Sequence, residues 1–344
     1  MENSLLKPNQ SDIGLDKIQK DMSDIINDPQ VSENMTREFD TVDLPFFGCD
    51  FDTVYPTIKA LLPKESVTFE IFGDNIAIMC EIICASICHK INWDYLRMRI
   101  YDKTLNDPQW LLPDNLKTIS EEKVFEMLCS YEKSERIRAD ERAKILRQIG
   151  TWSEDYAQIS DVFMSNGRLY DYTDIHSNLL KCDVFSSDPQ EKKLQLLIQK
   201  VSFINGYEAL SSYYHPAIDY HLIRSYLRRG LIICKTKKAW DYINNVEANR
   251  TERTVAAIRM HCSNMIRSIS QYTHLDISTI NLIEWHIGRS VCMQEKADCK
   301  LENKSSNWLK PKFDVCPFYY TCTARCYNQS YLNITEPNYN GTSY

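Results

Sequence analysis

Apolar residues recur at helical spacing along most of the chain. A polar leader, residues 1–40, predicts at most one short helix, near 15–26. From Val42 the chain turns apolar and aromatic (LPFFGCDFDTVYPTIKALLP), and Val67–Phe72 reads as a short strand or the start of a helix. Asn75–Met98 predicts one long buried helix with Cys80, Cys84 and Cys88 on a single face, as small apolar packing residues. Residues 120–150 carry helical periodicity with many i, i+4 opposite charges, and Gly150 is placed to close that helix. Residues 153–180 predict two short helices. Ser187-Asp188-Pro189 opens another, with Leu194, Leu197, Ile198 and Val201 as its apolar stripe. A turn follows at His215-Pro216. Three further helices are expected, over 219–227, 253–271 and 276–289. Residues 290–344 hold a cysteine-rich segment and a polar tail.

Composition supports a mainly helical reading. The chain has 344 residues and only 9 glycines, where average usage would give roughly 24. None are clustered, which excludes Gly-rich dinucleotide loops, P-loops and kinase loops. No stretch reaches the length of a membrane span, since Glu81 breaks the most apolar one, Ile76–Cys88. The N-terminus lacks the basic-then-apolar pattern of a signal peptide. A cytoplasmic protein (nuclear in a eukaryote) with reduced thiols is therefore expected. The net charge of −7 does not by itself point to nucleic acid.

Of 13 cysteines, five lie close together in sequence: Cys292, Cys299, Cys316, Cys322 and Cys326. The first four read C-x6-C-x16-C-x5-C. Four thiolates in one loop suit a 4Fe–4S cluster or a tetrahedral zinc, and Cys326 is a spare for Cys322. The segment follows the phrase Gly288-Arg289-Ser290-Val291-Cys292. Spacing and phrase resemble the iron–sulfur loop of the endonuclease III and MutY-type helix–hairpin–helix DNA glycosylases. That loop reads C-x6-C-x2-C-x5-C, so this chain departs from it by a long middle gap. The resemblance implies a structural 4Fe–4S cluster on Cys292, Cys299, Cys316 and Cys322.

A second phrase resembles the same family. His215-Pro216-Ala217-Ile218-Asp219-Tyr220-His221-Leu222-Ile223-Arg224 is similar to the family's P-x-V-D-T-H-V-x-R, whose aspartate is catalytic. By that resemblance Asp219 stabilises the oxocarbenium-like state formed as a base leaves its sugar. Upstream, Asp188-Pro189-Gln190-Glu191-Lys192-Lys193 resembles the helix start of archaeal 8-oxoguanine glycosylases. It implies that Lys192 or Lys193 attacks the sugar and forms a Schiff base. The family's glycine-rich hairpin is absent.

The resemblance implies two helical lobes with the active site between them. One is residues 75–205, with the hairpin region. The other is 41–74 plus 206–290, with the aspartate. The metal loop (291–326) and a polar tail (327–344) complete the chain. A flipped base needs aromatic walls and polar readers. The family's early helix suggests Lys90, Asn92 and Trp93 for that role, and the aspartate phrase adds His221. Arg224, Arg228, Arg229, Lys235, Lys237 and Lys238 form a run of positive charge beside Asp219 and are expected to face DNA phosphates. The expectation is a monomeric glycosylase, with or without lyase activity, acting on DNA with a damaged or modified base, in repair or in defence against modified phage DNA. A queuosine-salvage type of nucleotide N-glycosidase and a non-catalytic, metal-stapled binding module are the alternatives.

Overall fold

The computed structural model describes residues 33, 37–44, 47–63, 72–188, 190–244 and 252–334. The helix expected near 15–26 and most of the Val67–Phe72 segment lie outside them. The described residues are mainly helical. In chain order they form β1 (Phe39–Thr41), α1 (Phe51–Leu61), α2 (Asp74–Ile87), α3 (Trp93–Asn106), α4 (Pro113–Lys117), α5 (Glu121–Leu128) and α6 (Ala139–Ser153). A two-residue hairpin pair follows, β2 (Met164–Ser165) and β3 (Arg168–Leu169), then α7 (Tyr172–Leu180), α8 (Asp183–Ser186), α9 (Lys192–Val201) and α10 (Tyr220–Arg229). The remainder is β4 (Ile232–Cys234), α11 (Lys237–Asn244), α12 (Glu252–Thr273), α13 (Ile277–Ser290) and α14 (Thr323–Cys326). β1 and β4 pair antiparallel, with Asp40 opposite Ile233.

The apolar stripes bury into two hydrophobic cores. One gathers residues between Ala77 and Leu210, among them Ile82, Leu96, Leu146, Leu194, Leu197, Ile198 and Val201. The other joins Phe39, Phe51, Tyr55 and Ile58 to residues from Ile218 to Ile334. The chain therefore leaves the second core after α1 and returns to it at α10. A buried ion pair ties the two segments of chain together. Asp188, just before α9, receives both terminal guanidinium nitrogens of Arg259 on α12, at 2.9 and 2.8 Å.

Three helix boundaries differ from the sequence expectation. The helix expected over Asn75–Met98 is two, α2 and α3. Arg142, buried on α6, donates to the carbonyls of Ile87 and His89 and so takes up the end of α2. Lys90 then adopts a left-handed φ of 55°, and the Asn92 side chain caps α3 by accepting from the Tyr95 amide at 3.0 Å. Residues 120–150 likewise hold α5 and α6 around a short 3-10 turn at Ser134–Arg136. Gly150 lies inside α6, not past its end. A Cβ there would stand 2.7 Å from the Lys117 nitrogen, so α6 needs glycine to pack on α4. Finally, α9 begins at Lys192, because Asp188 accepts from the amides of Gln190 and Lys192 while Glu191 turns at φ 52°.

The helices expected over 219–227, 253–271 and 276–289 are present as α10, α12 and α13, with α10 and α13 capped by Asp219 and Asp276. The α10–α13 packing brings the site together. At Gly288 on α13 a Cβ would meet the His221 carbonyl oxygen at 2.5 Å. Only glycine admits so close an approach.

Candidate functional site

A cavity of about 800 Å³ opens where residues of both segments meet. From the Ala77–Leu210 side it is lined by Cys88, Lys90, Asn92, Trp93, Lys192, Gln199 and Lys200. From the other side come Asp219, His221, Arg224, Asn281, Trp285 and Arg289. Helical periodicity explains the lining. Lys192, Leu196, Gln199 and Lys200 share one face of α9, and Asn281, Trp285 and Arg289 recur every four residues on α13.

Asp219 is the N-cap of α10 and is 7% exposed. Its Oδ1 accepts from the amides of His221 (2.9 Å) and Leu222 (3.2 Å), and its Oδ2 accepts from the Trp285 indole N–H (3.2 Å). Burial raises the carboxyl pKa above its ordinary value, while Lys192 and the two amides oppose that rise. The Lys192 ammonium therefore acts directly on this carboxylate. Its Nζ donates to Cys88 Sγ at 3.2 Å.

Lys193 does not line the cavity. Adjacent helix positions point in different directions, and Lys193 is buried (2% exposed), which brings its pKa down to about 8. Of the two lysines expected from sequence, only Lys192 faces the cavity with Asp219.

The four residues expected to read a base all line it. Trp93 is half-buried and carries the Lys200 ammonium 5.5 Å from its ring centre. Asn92 accepts from Arg289 at 3.4 Å while capping α3. The His221 ring lies 3.0 Å from an Arg224 nitrogen, and burial together with that guanidinium drives its pKa well below the usual range, so the imidazole is neutral. Lys90 enters on its left-handed backbone turn. Non-glycine residues in that region are uncommon and gather at functional sites, and both Lys90 and Glu191 flank this one.

Sequence reasoning missed Asn281, Gln199, Lys200, Trp285 and Arg289. Asn281 is 4% exposed, and its Oδ1 has no hydrogen-bond partner although it lines the cavity. Arg289 joins α13 to α3 through Asp94 and stacks 4.8 Å over Trp285. The signal was available as the i, i+4, i+8 spacing of Asn281, Trp285 and Arg289 after an Asp cap.

Three residues of the expected positive run, Arg224, Arg228 and Arg229, are turned into the fold. Arg224 donates to the carbonyls of Cys292 and Gly288, each at 2.8 Å. Arg228 donates to the carbonyls of Met293, Gln294 and Ile334. Arg229 pairs with Glu284 and stacks 3.7 Å over Phe318. All three are buried, because α10 is enclosed by α12, α13 and the cysteine segment. Lys235, Lys237 and Lys238 are exposed, and two of them pair with acids, Lys235 with Asp40 and Lys238 with Glu38. Positive charge collects at the cavity instead. Among the described lining residues are nine Lys or Arg and three Asp or Glu, a balance of nine minus three, in a chain of net charge −7.

The cysteine segment wraps the far end of α10. Burial raises the thiols of Cys299 (to about 11), Cys316 and Cys322 above the usual range, and neighbouring thiols of the segment add to the rise. The Cys316 amide donates to the Cys299 carbonyl at 2.9 Å. Cys322 Sγ and Cys292 Sγ both approach Arg228, at 3.6 and 3.8 Å. Cys326 is exposed and its thiol turns to the Tyr319 carbonyl. As placed, no three His, Cys, Asp or Glu side chains among the described residues form a metal-holding group. Cys292, Cys299, Cys316 and Cys322 are free thiols, the donor type of a thiolate-ligated centre.

No helix among the described residues is long and apolar enough to cross a membrane. The sequence matches no protein-family model and no curated protein.

Proposed function

We propose that this chain is a DNA glycosylase that removes a damaged or modified base, with Asp219 and Lys192 as its catalytic pair. The observation that carries the reading is their meeting in one cavity with indole walls and a basic lining. The two cores are read as two lobes and the cavity as the cleft between them. The flipped nucleotide enters with its base against Trp93 and Trp285. Asn281 lines the cavity from α13 and is read as a contact to the edge of the flipped base.

As the glycosidic bond breaks, the Asp219 carboxylate stabilises the positive charge developing on the sugar. Its anchors at the head of α10 hold it without a water shell. Lys192 stands beside it to take up the sugar carbon as a Schiff base, which adds strand cleavage to base removal. Cys292, Cys299, Cys316 and Cys322 would hold a 4Fe–4S cluster, or a zinc ion in its place. Such a centre would staple the segment after α13 and supply no step of the chemistry. Base-excision repair and defence against modified phage DNA are both compatible roles.

One observation favours a second reading. With Arg224, Arg228 and Arg229 turned inward, the surface beside Asp219 loses the charges expected for DNA, and a nucleotide N-glycosidase becomes its rival. The test is base release, followed by chromatography, from modified-base duplexes and from the matching free nucleosides and nucleotides. Release from duplex alone, with a borohydride-trapped adduct lost in Lys192→Gln, is the expected result. Release only from free nucleotides favours the rival, and no release from either class overturns both.

A further inference from the structure

Cys80, Cys84 and Cys88 share one face of α2 and the turn beyond it, yet their surroundings differ. Cys80 and Cys84 are fully buried, and burial pushes their thiols up, Cys80 to about 12. Such thiols are inert. Cys88 reaches the cavity wall. Its sulfur accepts from Lys192 Nζ at 3.2 Å, and its S–H donates to the Ala85 carbonyl at 3.3 Å. Lys193 and Arg142 are also close enough to interact with it electrostatically. Cys88 thus has an amine nitrogen in contact and a place on the cavity wall, where a small oxidant meets its sulfur.

We propose that Cys88 and Lys192 form a redox-closable pair, in which hydroperoxide oxidation of Cys88 leads to a covalent Sγ–Nζ bond. The Cys88 sulfur attacks hydrogen peroxide, the S–H and O–O bonds break, and sulfenic acid and water form. The Lys192 lone pair then attacks Sγ. The S–N bond forms, the S–O bond breaks, and the departing hydroxide takes a proton from nitrogen as water. Thiol, amine and peroxide become a sulfenamide and two waters, with sulfur giving two electrons to the peroxide. Backbone nitrogens are known to trap sulfenic acid in this way, and here the amine already touches the sulfur. A thiol reductant reverses the bond. The consequence for catalysis rests on the proposed function, since the amine consumed is the Schiff-base nucleophile. The cross-link itself does not rest on it.

The full chain is treated with limiting hydrogen peroxide, its free thiols are alkylated, and it is digested at neutral pH for tandem mass spectrometry. The expected product is a Cys88–Lys192 linked peptide lacking two hydrogens, reversed by dithiothreitol and absent from Cys88→Ala and Lys192→Arg. Borohydride trapping on substrate DNA is lost on oxidation and restored by dithiothreitol alone, without iron or sulfide, which separates it from damage to a metal centre. Cys88 recovered unoxidised, or as sulfinic or sulfonic acid with Lys192 free, overturns the proposal. A reversible cross-link with no base release or trapping in either state leaves the pair standing and removes the glycosylase reading.

Discussion

Two sets of polar residues meet near Asp219, and they spend their hydrogen bonds differently. On α10, Arg224 and Arg228 donate to carbonyls of the surrounding chain, and Arg229 pairs with the buried Glu284. On α9 and α13, Lys192, Gln199, Asn281 and Trp285 line a cavity. The first set resembles a binding surface when read as charge along a sequence, yet it acts as internal scaffold. The second is scattered along the chain and forms the site. Satisfied buried polar groups hold a fold, whereas polar groups that line a cavity stand where a ligand can reach them.

That contrast breaks most sharply at Arg229. Arg229→Ala leaves Glu284 charged and buried, and it is expected to cost about 3–5 kcal/mol of stability, measured by denaturant unfolding. A smaller loss would move Arg229 out of the scaffold set. Asn281→Ala is expected to leave the unfolding midpoint nearly unchanged. It should lower kcat/KM by the worth of one buried hydrogen bond, about 1–3 kcal/mol. Destabilisation with unchanged kinetics would place Asn281 with the scaffold instead.

The pH profile sharpens the same distinction. Burial raises the Asp219 carboxyl above its ordinary 3.8, and the role proposed for it needs the anion. Activity should therefore fall, on acidification, at a pH above the usual carboxylate range. The stability contribution has the opposite sense, because a raised folded pKa means the folded state favours the proton. That contribution is full below 3.8 and lost as pH rises through the folded value. Removing the outward charges should matter least. Lys235, Lys237 and Lys238 changed together to Gln are expected to shift duplex affinity by less than about 1 kcal/mol, read by titration at two salt concentrations.

Much of the helical organisation was legible, because apolar stripes such as Leu194, Leu197, Ile198 and Val201 bury where their spacing puts them. The broken helices were less so. The split at Cys88–Asn92 depends on Arg142, more than fifty residues away along the chain, and Gly150 is required by the approach of α4, not by a helix end. In the candidate site, Asp219, Lys192, Lys90, Asn92, Trp93 and His221 could be picked out by motif and resemblance. Gln199 and Lys200 could not, since each becomes notable only when a second helix faces it across the cavity. The burial of Arg224, Arg228 and Arg229 was hidden for a related reason. A charge run shows no direction until its helix has neighbours.

The most direct test of Asp219 as the group that breaks the glycosidic bond is the single-turnover rate of base release for Asp219→Asn against the native protein, on whichever substrate class the native protein cleaves. Asparagine can still accept from the amides of His221 and Leu222, so the cap on α10 and the thermal midpoint should be kept. The account expects the rate to fall by about a hundred- to a thousand-fold with that midpoint unchanged. Equal rates for the two proteins would contradict it.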